Sequence, residues 1–206
     1  MAEDPFVAPS RGDEARLLER LVAHDERAFY SLVRAYERRV FALVLRMVGN
    51  RAEAEDLAQE VFVQVFRNVA LFRGDSKLST WIFRITVNLC KNRNKYLRVR
   101  RADAQQSLDA DDGSPLGPNG ASNAGQFARP DEMMAGRQVE QIVQRGILEL
   151  EPSFRECLLL RDVEDMSYEE IASVTGLPEG TVKSRIHRAR AQLRDIVEGA
   201  LGEKIK

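Results

Sequence analysis

The sequence is short of the residues that build redox frameworks and metal sites. Only two cysteines, Cys90 and Cys157, and two histidines, His24 and His187, occur among 206 residues. Each cysteine stands beside apolar residues of an expected helix, and neither histidine has a second ligand at metal spacing. A disulfide scaffold and a zinc site are therefore not expected, and a reducing cytoplasm fits. No segment carries about eighteen apolar residues in succession, and Met1 to Pro9 lacks a basic start followed by an apolar run, so neither membrane insertion nor secretion is expected. No GxxxxGK[ST], GxSxG or HExxH pattern is present, nor any converging set of carboxylates and histidines. The chain is thus read as not an enzyme, with no cofactor, metal or small-molecule substrate. Alternating strand patterns and repeats of solenoid length are also missing, which leaves an all-α fold.

Neither sign of charge is in excess. With 31 Lys and Arg against 32 Asp and Glu the net charge is only −1, yet the charges are segregated. Lys91, Arg93, Lys95, Arg98, Arg100 and Arg101 form a basic block, and Asp103, Asp109, Asp111, Asp112, Asp131 and Glu132 dominate the stretch after it. Segregation of this kind points to a nucleic-acid partner that the average conceals.

The hydrophobic period divides the chain in two. Phe29, Leu32, Val33, Tyr36, Val40, Leu43, Val44 and Met47 keep a helical spacing until Gly49-Asn50. Asn50 with Glu53 then caps a helix burying Ala54, Leu57, Ala58, Val61, Phe62, Val65 and Phe66. A shorter helix from Glu14 to Ala23 precedes both. After Phe72-Arg73-Gly74-Asp75-Ser76 a long helix is expected from Thr80 to about Arg98, with Trp81, Ile82, Ile85 and Leu89 inward. A first helical domain over 14–101 results. Residues 102–132 are acidic, rich in Gly and Pro, and poor in large apolar groups, so they read as a flexible linker. Four helices over 133–200 make a second domain.

That second domain holds the clearest DNA-binding pattern. Ser167 with Glu170 is a capping box that starts a helix at Tyr168, and Gly176 with Pro178 stops it. In the next helix Val182, Ile186, Ala189 and Leu193 face inward, leaving Lys183, Ser184, His187, Arg188 and Ala191 outside. A basic outer helix face fits the major groove, where Arg or Lys can pair with guanine.

The segments Ala54-Glu55-Asp56-Leu57-Ala58-Gln59-Glu60-Val61-Phe62, Phe72-Arg73-Gly74-Asp75-Ser76 and Ser79-Thr80-Trp81-Ile82-Phe83-Arg84 closely resemble region 2 of bacterial extracytoplasmic-function sigma factors. Leu158-Leu159-Leu160-Arg161-Asp162, the capping-box helix and Gly180-Thr181-Val182-Lys183-Ser184-Arg185 resemble the same family's region 4. The resemblance implies a transcription initiation factor that binds core RNA polymerase, directs it to promoter DNA and helps open the duplex. It implies that Asp56, Gln59, Glu60 and Gln64 dock on the polymerase's largest subunit. The loop residues Arg73, Asp75 and Ser76, with Arg84, Asn88, Lys91 and Lys95 on one helix face, would hold the unstacked minus-ten strand. Lys183, Ser184, His187 and Arg188 would read the minus-thirty-five element, although some relatives carry an aromatic residue where His187 stands. Arg185, Arg190 and Arg194 are expected on phosphates or on the protein's own acids. Trp81 is read as core in preference to a base-stacking platform, and Phe72 stays open between the two. An anti-sigma factor is implied as a further partner. The competing readings are a free-standing helix-turn-helix regulator, an enzyme such as a nuclease, and a helical adaptor; no ligand domain, catalytic motif or dimerisation element supports the first two.

Overall fold

The computed structural model describes residues 11–108 and 130–202, and among them there is no strand. Eight α-helices follow one another: α1 Arg11–Val22, α2 Glu26–Val48, α3 Arg51–Asn68, α4 Leu78–Leu108, α5 Pro130–Glu149, α6 Pro152–Asp162, α7 Tyr168–Thr175 and α8 Glu179–Leu201. A 3-10 turn, Val69–Leu71, follows α3.

Local chemistry sets most of these boundaries. Asp25 accepts from the N–H groups of Arg27 and Ala28 at 2.8 and 3.3 Å and so starts α2. Asn50 accepts from Glu53 N at 3.0 Å at the head of α3. Between them Gly49 closes α2 in the left-handed region, at φ 78. The head of α4 is capped from a distance, because Glu14 of α1 accepts from Leu78 N at 2.6 Å. Each acceptor satisfies a backbone donor that the helix cannot pair internally.

The long helix α4 differs from its expected extent, running ten residues beyond Arg98 to Leu108. Ala102, Ala104, Gln105, Gln106 and Leu108 are good helix formers, and no Gly or Pro interrupts before Gly113, so propagation wins over the acidic composition. The start of the expected linker is therefore helical, as are its last residues from Pro130; residues 109–129 lie outside the described ones.

Helices α1–α4 bury Leu32, Val40, Leu43, Leu57, Val61, Ile82 and Phe83 in one core, and Leu159, Leu160, Ile171, Val182 and Ile186 fill the second unit. These are not separate cores. A single apolar cluster runs from Leu21 to Ile186 and includes residues of both units, with α5 and α6 packed on α2 and α7 packed on α4. Some residues expected inward are only partly so. Phe66 is 39 % exposed, with its ring against Phe29 and His24 at 5.0 and 5.2 Å. Trp81, Ile85 and Leu89 are half-buried, whereas Ile82 is completely enclosed.

The junction between units is made at Gly49 and Arg155. A Cβ on Gly49 would stand 2.8 Å from Leu148 Cδ1, so the Leu148 side chain of α5 packs into the space that the glycine leaves. Arg155 donates from Nε to Ile147 O at 2.8 Å and from Nη2 to Leu150 O at 3.0 Å and to Leu148 O. From Nη1 it reaches the other unit, donating to Met47 O at 2.8 Å. One side chain therefore satisfies the carbonyls of the α5–α6 turn and of the end of α2.

Candidate nucleic-acid interface

The helix-turn-helix is built from its caps inward. Ser167 Oγ accepts from Glu170 N at 3.1 Å, and Glu170 Oε2 accepts from Ser167 N at 2.8 Å, the reciprocal pair read from the sequence. Gly176 ends α7 at φ 75. Thr175 Oγ1 accepts from Leu177 N at 3.3 Å within the turn. Val182, Ile186 and Ala189 are then buried, which fixes the rotation of α8. Lys183, Ser184, His187 and Arg188 consequently all lie exposed. Lys183 Nζ stands 5.2 Å from the centroid of Tyr168, and Ser184 Oγ donates back to Thr181 O at 2.9 Å. Arg190 turns to the protein's own acid, with Nε 3.0 Å from Asp162 Oδ2.

The second basic face lies on α4, where Asn88, Lys91 and Lys95 are exposed and Arg84 is half-buried. Asn88 lies one turn and Lys95 about three turns beyond Arg84. Arg84 is half-buried and donates from Nη2 to Ser173 Oγ of α7, while its Nε is buried with no hydrogen-bond partner. Lys91 Nζ forms an ion pair with Glu156 Oε1 of α6 at 2.8 Å. Lys77, just before α4, meets Glu170 Oε1 at 2.9 Å. The sequence signals the bases but none of these acidic partners. In the preceding loop Arg73 and Asp75 are exposed and Ser76 is half-buried; Gly74 makes the turn at φ 75. Phe72 and Trp81 close the loop by packing on each other, ring centroids 5.3 Å apart and both half-buried, so each is partly core and partly surface.

A third face, on α3, is polar and open. Asp56, Gln59 and Glu60 are exposed and share one side of the helix. Gln64 is half-buried, and its Oε1 accepts from Asn68 Nδ2 at 3.1 Å, so it stands apart from the other three. Val63 and Phe66, 45 % and 39 % exposed, extend the same side with apolar surface. The core-facing period places Phe66 inside; in the structure it occupies the edge of that stripe instead.

Burial governs the electrostatics between units. Glu156 and Glu164, 4 % and 6 % exposed, have carboxyl groups pushed up by burial and pulled back by their partners Lys91 and Arg39. Arg39 Nη2 lies 2.9 Å from Glu164 Oε2. Burial also raises Glu170, but the hydrogen bond to Lys77 and those at Ser167 outweigh it and hold the group below its ordinary value. Among the described residues no group of three His, Cys, Asp or Glu is placed to hold a metal ion, and no helix is long and apolar enough to cross a membrane.

A capped helix-turn-helix with an exposed basic second helix, joined in one chain to a long helix with its own basic residues, places the chain in the class of helix-turn-helix DNA-binding proteins. Known proteins give the family. Residues 32–103 match the model for Sigma-70 region 2, and residues 140–193 match that for Sigma-70, region 4. The chain is 36% identical over 191 residues to the RNA polymerase sigma-H factor of Pseudomonas aeruginosa, covering 92% of this chain and 96% of that protein. It is 37% identical over 183 residues to the ECF RNA polymerase sigma-E factor of Escherichia coli, covering 88% and 93%. Two solved structures share the fold: CnrH in complex with the cytosolic domain of CnrY (TM-score 0.61, 23% identity, 90% of this chain and 97% of that one), and the sigma factor RpoE with the anti-sigma factor NepR from Bartonella quintana (TM-score 0.61, 24% identity, 82% and 96%). The chain belongs to the sigma-70 family of RNA polymerase sigma factors, in its extracytoplasmic-function group.

Proposed function

We propose that this chain acts in the cytoplasm as an alternative initiation factor in which each exposed polar face serves one partner. Asp56, Gln59 and Glu60 dock on core RNA polymerase, Lys183, Ser184, His187 and Arg188 read the minus-thirty-five element as duplex, and α4 with the loop Arg73 to Ser76 receives the opened minus-ten strand. The reading carries no chemistry of its own. An anti-sigma factor, of the kind seen with the Bartonella quintana relative, is its natural inhibitor. The observation that carries the proposal is the simultaneous exposure of a basic face on α8 and an acidic-polar face on α3, one suited to phosphates and base edges and the other not.

Run-off transcription on fragmented genomic DNA, with core polymerase plus or minus this protein, tests it. Discrete new transcripts that vanish without the protein are expected. No transcripts, together with tight duplex binding by the protein alone, would instead identify a free-standing helix-turn-helix regulator.

A further inference from the structure

The helical period of α2 buries one side, with Leu32, Tyr36, Val40 and Leu43, and leaves the opposite side without a role. There Arg27, Tyr30, Arg34 and Arg38 follow one another at helical spacing, all exposed, in a stripe about 16 Å long. Glu26 and Glu37 stand together along one edge, which leaves the centre and the other edge to the arginines. Several bases elsewhere face a carboxylate: Arg39 meets Glu164, Arg51 meets Glu55, and Arg190 meets Asp162. Among the described residues none of Arg27, Arg34 and Arg38 has such a partner. Tyr30 is 63 % exposed, the most open aromatic ring among the described residues, and the Arg34 guanidinium lies 5.9 Å from its centroid.

Three kinds of occupant suit this stripe unequally. A duplex would satisfy the arginines but keeps its base faces inside its own stack, which leaves the ring idle. An acidic polypeptide would pair with the guanidinium groups and likewise offers the ring no flat partner. A single strand uses both, with phosphates for Arg27, Arg34 and Arg38 and an unstacked base for Tyr30. Arg34, already against the ring, adds its charge to the stack.

We infer that this stripe of α2 is a further seat for single-stranded DNA, indifferent to sequence and separate from the minus-ten face of α4. The inference rests on the initiation-factor reading only for the origin of the strand, which is the opened duplex. The separation is geometric. Arg39, one residue past Arg38, turns the other way, toward Glu164, with its guanidinium 5.0 Å from the Phe83 ring of α4. The stripe therefore lies on a different side of α2 from the one packed on α4. A strand held by phosphates and one ring, with no base edge read, is held whatever its sequence.

Fluorescence anisotropy of labelled oligothymidylate with the full chain, over a range of salt, tests this. Tyr30→Ala should weaken binding by about tenfold, the loss of one stacked base, and should leave duplex affinity alone. Tyr30→Phe should keep the wild-type affinity, since stacking needs the ring and not the hydroxyl. Arg34→Gln with Arg38→Gln should lower the log–log salt slope by about 1.4, the value for two phosphate contacts on a single strand. These positions are exposed, so the helical signal should not change. Equal affinity for wild type and Tyr30→Ala, an unchanged slope, or a Tyr30→Phe variant as weak as Tyr30→Ala overturns the seat. An oligoglutamate of equal charge that displaces the strand as well as unlabelled oligothymidylate also overturns it, and assigns the stripe to an acidic protein. Run-off transcription with wild-type protein shows separately whether the sigma-factor reading stands.

Discussion

Arg155 Nη1 lies 2.8 Å from the carbonyl oxygen of Met47, a contact between residues 108 positions apart that joins the end of α2 to the α5–α6 turn. Burial lowers the pKa of this guanidinium from its ordinary value, yet it stays charged at any physiological pH and finds acceptors in four carbonyls. Arg155→Ala should lower stability by about 2–4 kcal/mol, the sum of lost charge-assisted bonds and carbonyls left unsatisfied. Arg155→Lys should recover less than half, because an ammonium lacks the planar fork. Urea unfolding monitored by helical signal measures both, and equal midpoints for the Arg155→Lys variant and wild-type protein would remove the bridging role.

Two glycines with nearly the same backbone separate strain from packing. Gly49 at φ 78 has Leu148 within 2.8 Å of an added Cβ, whereas Gly74 at φ 75 has nothing within 4 Å. Gly74→Ala should lose about 1 kcal/mol from backbone strain alone. Gly49→Ala should lose about 1–2 kcal/mol, because the Leu148 side chain must also turn out of its place. Denaturant midpoints that fall equally would show that the packing of Leu148 on Gly49 carries no energy.

Reversing Lys183 and Arg188 together, to Glu, should weaken duplex promoter binding by about a hundredfold while leaving polymerase association within about twofold. Both side chains are exposed, so the fold should be untouched. Loss of polymerase binding in a pull-down would contradict separate faces.

Asp56→Arg with Glu60→Arg should reduce affinity for core polymerase by about tenfold or more, with most of the change in the association rate and in its salt dependence. Gln64→Ala should do much less, since its amide oxygen is already held by Asn68. Fluorescence titration against core enzyme decides this, and an unchanged affinity for the double variant would remove α3 as the docking face.

Burial pushes the thiol of Cys90 up to about 12 and that of Cys157 up to about 11. At pH 8 both remain neutral and should resist iodoacetamide in the native protein, then react fully in denaturant. The linkage has a definite sign: the unfolded chain releases these protons near the ordinary thiol value of about 8.5, and the folded chain holds them longer, so stability falls as pH rises beyond that value. Rapid native-state labelling of either thiol at pH 8 would show that its helix opens.

Much of this architecture is legible in the chain because its signals are local. Ser167, Glu170 and Gly176 bound α7 in the structure where a capping box and a glycine stop place it. The spacing of Val182, Ile186 and Ala189 exposes Lys183 and Arg188 as a helical period requires. The pairing across units is not legible in the same way. Glu156 adjoins an apolar run, Cys157-Leu158-Leu159-Leu160, and nothing periodic marks it as the partner of Lys91, 65 residues earlier. Long-range polar contacts depend on how two finished units meet, which no window of sequence encodes. Phe66 departs from its expected burial for a related reason: its position in the period is at the margin of the buried stripe, where a small rotation of α3 decides inside from outside.

The two carboxylate oxygens of Glu170 have different employers. Oε2 accepts from Ser167 N at the head of α7, while Oε1 meets Lys77 of the other unit. The cap bond uses a different oxygen from the ion pair, so the head of α7 does not depend on Lys77 for its closure. The recognition helix is thereby set on a terminus that its own unit completes, and a change at Lys77 should alter the seam between the units without retuning the pitch at which α8 meets duplex DNA.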